Sequence, residues 1–209
     1  MMALTDQYLA ALVKHDPSEL PLSKGVRFTE NTAEIRIGDG LWVGASEAPT
    51  TFKIYAVDPE SNQVGFYGVM KENNRPLIIA LRLKVVDGEI TEIEHVLARN
   101  MRADRMQNLI TPRAALLADV PPRTSHEDMI NAANSYFESI EHGDCEIAPF
   151  AEDCERHENG GQTTHNATPV PWPVPMGSPE ADHAMAVLGT LTCTAQVNSP
   201  VAARPRLGG

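Results

Sequence analysis

The chain has 209 residues, enough for one large or two small domains, and its apolar (42%) and charged (22%) fractions are those of a soluble globular protein. Its net charge of −11 is unevenly spread: residues 1–123 carry 14 Lys+Arg against 16 Asp+Glu, residues 124–209 only 3 against 12. A surface this acidic argues against nucleic acid, whose phosphates need clustered Lys and Arg, and is repelled by anionic membranes.

The N-terminus, MMALTDQYLAALVKHD, lacks a basic start and carries Asp6 inside its apolar stretch, so it does not read as a signal peptide. No apolar run approaches the roughly 18–20 residues that span a bilayer. The expected location is cytoplasmic, with no membrane contact. Cys145, Cys154 and Cys193 form no CxxC pair and are expected to be thiols in a reducing compartment; on export, Cys154–Cys193 would be the natural bridge.

The spacing of Leu4, Tyr8, Ala11 and Leu12 predicts a helix over residues 3–14, closed by Asp16-Pro17. Short strands follow over 26–30 and 33–37, around a turn at Asn31-Thr32. Gly38-Asp39-Gly40 breaks the chain before a short helix from Leu41 to Ser46. The period then changes to two, and strands are expected over Thr51–Val57, Gln63–Met70, Leu77–Val86 and Glu89–Ala98. Their connections carry Asp58-Pro59, Asn73-Asn74 and Asp87-Gly88, the last a strong hairpin signal. Alternation places Leu77, Ile79, Leu81, Leu83 and Val85 on one face, and in the next strand Thr91, Ile93, His95 and Leu97. A helix followed by an antiparallel meander is an α+β unit with the sheet wrapped around the helix.

Residues 101–124 read as a linker, with Pro121-Pro122 at the boundary. A second helix starts at Ser125, with Asp128 three residues on as a variant capping box, presents Met129, Ile130, Ala133, Tyr136, Phe137 and Ile140, and stops at Gly143. Residues 136–159 repeat residues 8–31 at a constant offset of 128: Tyr8, Asp16, Pro21, Glu30 and Asn31 fall on Tyr136, Asp144, Pro149, Glu158 and Asn159. The second copy is not followed by strand-like alternation. Residues 169–179 are proline-rich, a short helix is possible over 184–191, and 199–209 read as a flexible tail. The expected organisation is a complete unit over 1–100, the linker, a partial repeat over 125–165 and an irregular stretch over 166–209.

Helix, strand pair, short helix and long antiparallel strands resemble the SnoaL-like branch of the nuclear transport factor 2-like superfamily. The stretches VRFTEN, GDGLW, RLKVVDGEITEIE and PFAEDCERHENGGQTT resemble more closely an uncharacterised family with two such units per chain, in which the second unit continues through further strands. The resemblance implies a cone-shaped half-barrel closed by helices, with an apolar pocket at its mouth. It also implies either a cofactor-independent isomerase, dehydratase or lyase, or a binding or assembly module, because the fold is shared by both.

His95, on the face shared by Ile93 and Leu97, is the first candidate base; the alternative is a buried, satisfied histidine. Glu30 is the second candidate, since a carboxylate in an apolar pocket can move a proton, although Glu-Asn could equally cap the following turn. Arg27, Tyr55 or Tyr67 would steady developing oxyanion charge. Trp42 and Asp39, over the expected mouth, and the pair Arg156 and Glu158, two apart on one strand face, are candidates for substrate contact. For each, packing or solvation is the bland reading. His126, His157, His165 and His183 match no metal spacing, and Cys154 with His157 lacks an orienting third group for nucleophilic chemistry. No glycine-rich phosphate loop is present. No metal or cofactor is therefore expected.

Three functional readings stand. The first is a proton-transfer enzyme on a small, largely apolar molecule. The second is a non-catalytic module of the same fold. The third is a chain whose second half is degenerate. Unpaired strand edges in an unfinished repeat predict a homodimer or higher oligomer.

Overall fold

The computed structural model describes residues 1–112, 114, 124–144, 146–150, 154 and 156–162. Pro121-Pro122, Cys145, Cys193, His165, His183 and the segments 169–179, 184–191 and 199–209 lie outside the described residues. The chain divides into two compact units, Met1–Asp119 and Val120–Gly209.

In the first unit, helix α1 (Met2–Lys14) buries Thr5, Tyr8, Leu9, Ala11 and Leu12. It ends on His15, a left-handed residue (φ 57°) whose N–H returns to Leu12 O at 3.2 Å, while Asp16 N returns to Ala11 O at 3.1 Å. A left-handed closing residue satisfies the last carbonyls of a helix. The sheet then forms from β1 (Leu22–Glu30), β2 (Ala33–Glu34), β3 (Ala45–Glu47), β4 (Lys53–Asp58), β5 (Gln63–Glu72), β6 (Arg75–Val86) and β7 (Glu89–Ala98). Its order is β2-β1-β7-β6-β5-β3, with β4 also paired to β5. Every pairing is antiparallel except β1 with β7, which is parallel.

Period-two alternation explains the inner face. Val64, Phe66 and Met70 of β5, Leu77, Ile79, Leu81 and Leu83 of β6, and Ile93 and Leu97 of β7 are buried with α1 in one core. Each fully buried aliphatic side chain contributes about 1.5–3 kcal/mol. The hairpins fall where the turn residues place them. Asn73 and Asn74 (φ 49° and 62°) join β5 to β6, and Asp87 and Gly88 (φ 51° and 84°) join β6 to β7, both with the positive φ that a two-residue hairpin loop requires.

Four expectations are corrected. Thr91 does not share the face of Ile93. Lys84 pairs with Glu92 but Val85 with Ile90, so Thr91 is the extra residue of a bulge, and Ile90 takes the core position instead. The helix expected to Ser46 is α2 (Leu41–Gly44), after which Ala45 and Glu47 pair with the end of β5. The second short strand stops at Glu34. The expected linker contains helix α3 (Ala103–Ile110), whose Met106 and Leu109 pack with Phe52 and Ile78 on the outer side of the sheet.

In the second unit, α4 (His126–His142) starts at Ser125, whose Oγ accepts from Asp128 N at 3.1 Å, and closes on left-handed Gly143 (φ 63°). Strands β8 (His157–Glu158) and β9 (Gly161–Gln162) pair around Asn159 and Gly160 (φ 47° and 78°). At the offset of 128, the pairs Thr29–Glu34 and Glu30–Ala33 of the first hairpin fall on His157–Gln162 and Glu158–Gly161. His15 falls on Gly143, and both close their helices in the left-handed region. No described helix is long and apolar enough to cross a membrane.

The two hairpins differ at one residue that backbone energetics can test. Thr32 holds φ 72° where the second hairpin has Gly160, and a β-branched residue is strained there. Thr32→Gly is expected to stabilise the fold by about 1 kcal/mol. Asn31→Ala is expected to cost about 2 kcal/mol, because the Asn31 side chain accepts from Leu97 N at 2.7 Å. Urea unfolding of the two variants checks both signs.

Candidate functional site

Glu30 ends β1 on the same face as Phe28, and the parallel register places its Cα opposite that of His95 in β7. Its Oε2 accepts from the backbone N–H of Leu41 at 2.8 Å, at the start of α2. Gly40 makes that approach possible. It holds φ 63°, and a Cβ added there would sit 2.7 Å from Glu30 Oε2. The GDGLW stretch therefore owes its second glycine to the carboxylate beneath it.

The remaining Glu30 contacts run in two directions. Outward, Oε1 accepts from Arg99 at 3.2 Å, and Arg99 also forks onto Glu72 at 2.6 and 2.8 Å. Inward, His95 Nδ1 lies 3.6 Å from Oε2, longer than a hydrogen bond, so the attraction there is electrostatic. His95 Nδ1 has no hydrogen-bond partner. His95 Nε2 is 2.9 Å from the Tyr8 hydroxyl. A neutral imidazole with its proton on Nδ1 fits both neighbours: Nδ1–H faces the carboxylate and Nε2 accepts from Tyr8. Tyr8 and His95 are both 0% exposed. His95 is packed edge-to-face by Tyr8 and Phe28, and Tyr8 in turn by Trp42. His15 Nδ1 at 2.5 Å from Trp42 O ties the end of α1 to α2.

The ionisation states follow from the surroundings. Burial works to raise the Glu30 carboxyl, but the nearby His95 imidazole and the hydrogen bonds from the Leu41 N–H and Arg99 outweigh it and hold the group at about 2. Burial pushes the His95 imidazole below its ordinary value; Glu30 opposes that and Arg99 adds to it. Burial also drives the Tyr8 phenol far upward, partly opposed by the Trp42 indole and reinforced by Glu30. At neutral pH the cluster is one carboxylate, one neutral imidazole and one phenol.

The structure brings together Glu30 and His95 of the expected site, with Trp42 behind Tyr8. It leaves the others elsewhere. Arg27 lies on the opposite face of β1 from Glu30, exposed, and pairs with Glu34 at 3.2 Å. Asp39 is on the surface with Arg36. Trp42 is 1% exposed, in the core and not over a mouth. Tyr55 donates to Asp6 at 2.5 Å near the surface, beside Lys53. Tyr67 points to the outer side of the sheet against Phe52. In the second unit Arg156 and Glu158 pair with each other, and the Arg156 guanidinium lies 5.4 Å from the Tyr136 ring centre. Sequence reasoning missed Tyr8, Arg99 and Glu72 as members of the cluster. Tyr8 was legible only as a core position, and nothing in the local pattern ties residues 72 and 99 to residue 30.

Two cavities of this unit have linings that include neither His95 nor Glu30. One, of about 370 Å³, is lined by Glu72, Asn73, Arg75, Pro76, Leu77, Arg99 and Asn100. The other, of about 310 Å³, opens on the outer face of the sheet. Its lining follows the register. Ile54, Tyr67, Ala80 and Val96 form one row across four strands, and Ala56, Gly65, Arg82 and Glu94 the next. The small residues Ala56, Gly65 and Ala80 form the floor between larger neighbours.

Residues 122–206 match a family model described as Domain of unknown function (DUF8021). No curated protein matches the chain. Among solved structures it is similar to a protein from Sphaerobacter thermophilus, at 13% identity over 46% of this chain and 94% of that one, with a TM-score of 0.38. It is similar to a steroid delta-isomerase from Pseudomonas aeruginosa, at 15% identity over 56% and 90%, TM-score 0.35. It is also similar to a de novo designed NTF2 fold protein, NT-9, at 17% identity over 53% and 93%, TM-score 0.33. At these identities and scores nothing about activity passes from those proteins to this chain. The first unit itself is an α+β arrangement, a helix lying against a curled and mostly antiparallel sheet.

His95 and Glu30 both bind protons less readily folded than unfolded, so acid destabilises the fold. The charged or titratable groups around His95 are Tyr8 from α1, Glu30 from β1 and Arg99 after β7; α2 contributes Trp42 and β6 contributes Leu81. Stability is expected to be full above pH 6.5, to fall as pH drops below 6.5 toward the lowered His95 value, and to fall again from 4.5 toward 2 as Glu30 protonates. His95→Gln is expected to remove the upper fall and leave the lower one, read by urea unfolding at a series of pH values. Gly40→Ala is expected to cost about 2 kcal/mol or more. Gly38→Ala, at φ 99° with open space around it, is expected to cost less.

Proposed function

We propose that the chain is a non-catalytic binding module, that the Glu30–His95–Tyr8 cluster is a structural clamp, and that the ligand is a small apolar molecule seated in the outer-face groove. The observation that carries this reading is the complete burial of His95 and Tyr8. A general base must come within hydrogen-bond reach of a substrate proton, and here the one acceptor nitrogen of His95 already takes the Tyr8 hydroxyl. The groove supports the second half of the reading. Ile54 and Val96 border it, are exposed, and lie opposite Tyr67 and Ala80 in register. A concave apolar surface with a few polar groups at one end, here Arg82 and Glu94, is the form small-molecule sites take.

The agreement of hairpin register and helix ending at the offset of 128 supports reading residues 125–165 as a second, partial copy of the first unit. An enzymatic reading, as an isomerase, dehydratase or lyase, is favoured by one observation only. The Glu30–His95–Tyr8 chain orders an acceptor, an imidazole and a donor in line. It requires the core to open around His95.

Nile red titration separates these readings. The native chain is expected to bind the dye saturably, Ala80→Phe to weaken binding by about tenfold or more by filling the floor, and His95→Gln to leave the affinity unchanged. Binding untouched by Ala80→Phe contradicts the groove assignment. A native dimer dissolved by Ala80→Phe would give the face to a second copy instead.

A further inference from the structure

Helix α4 carries an exposed apolar stripe. Ile130, Ala133 and Phe137 recur at helical spacing, and all three are exposed, with Met129 exposed beside them. The offset of 128 places Phe137 on Leu9, which is 2% exposed in the first unit, whereas Phe137 is 67% exposed. The same helix position is thus core in one unit and surface in the other.

The flank of the stripe is acidic. Glu127, Asn134, Glu138 and Glu141 follow one another at steps of seven, four and three residues and form one exposed row along its edge. No Lys or Arg occurs between residues 124 and 155. A second copy of α4 would set glutamates against glutamates, so charge disfavours self-pairing of this face. The complementary surface is an apolar stripe bordered by Lys or Arg.

We propose that α4 is a docking surface for a cationic amphipathic helix of another protein, with Phe137 as the apolar anchor and the Glu127–Glu138–Glu141 row as the charge partner. The matching is that of paired amphipathic helices, in which apolar residues fill the seam and flanking charges choose the partner. The two proposals rest on different residues, so either can fail alone.

The probe is a synthetic helical peptide of leucine and lysine, labelled for fluorescence anisotropy, titrated with the full chain at low and high salt. A control peptide carries glutamate in place of lysine. The lysine peptide is expected to bind with a Kd on the order of micromolar and more weakly at high salt, and the control not to bind. Phe137→Ser, which leaves the charge unchanged, is expected to weaken binding about tenfold. Glu138→Lys together with Glu141→Lys should weaken it comparably, and Ala80→Phe should have no effect. Unaltered binding by Phe137→Ser would reduce the contact to general attraction to an acidic protein and overturn the proposal. Absence of binding would overturn it as well, as would a native dimer that Phe137→Ser dissolves. Circular dichroism of the exposed-site variants verifies that each remains folded.

Discussion

The first unit is organised around one partly buried carboxylate. Glu30 sits where β1 ends, and three elements reach it: the first N–H of α2, the imidazole of β7, and the guanidinium that follows β7. A carboxylate removed from water is costly unless donors replace its hydration. These donors come from segments far apart in sequence, so the charge is tolerated only when the segments are correctly assembled. Arg99 extends the same constraint to Glu72 at the end of β5, on the far side of β6. The cluster therefore fixes how the α2 turn and the three long strands meet around α1.

Electrostatics and packing act together in this arrangement. A neutral His95 needs a donor on one nitrogen and an acceptor facing the other, and Tyr8 and Glu30 are placed to be these. The aromatic edges of Tyr8 and Phe28 fix the ring plane. With the inner face so filled, the open groove lies on the outer side of the sheet. There α3 covers Phe52 and Ile78, and small residues leave a groove beside it. Fold and activity separate at this point: the same curled sheet can hold a reacting pocket or a packed core, depending on which side chains point inward.

Much of the first unit was legible in the sequence because its signals are local. The α1 face, the alternation of β5 and β6, and the turns at Asn73-Asn74 and Asp87-Gly88 each rest on a few neighbouring residues. The bulge at Thr91 was not legible, because it depends on how β7 registers against β6. Helix α3 is short and largely polar, and only Met106 and Leu109 hint at its buried side. Glu30 and His95 could each be singled out by residue type, but their proximity is a property of the parallel β1–β7 pairing. Arg27 stands three residues before Glu30, and odd and even positions of a strand face opposite ways, so it pairs outside with Glu34.

The measurement that tests the clamp most directly is a long-range nitrogen–proton NMR titration of the His95 imidazole. A structural clamp predicts a neutral ring protonated at Nδ1, with shifts unchanged from pH 8 to below the ordinary histidine value of about 6.5 while the protein stays folded. An imidazole that titrates near 6.5 in the folded chain, or that carries its proton on Nε2, would contradict the account and return His95 to the candidates for acid–base chemistry.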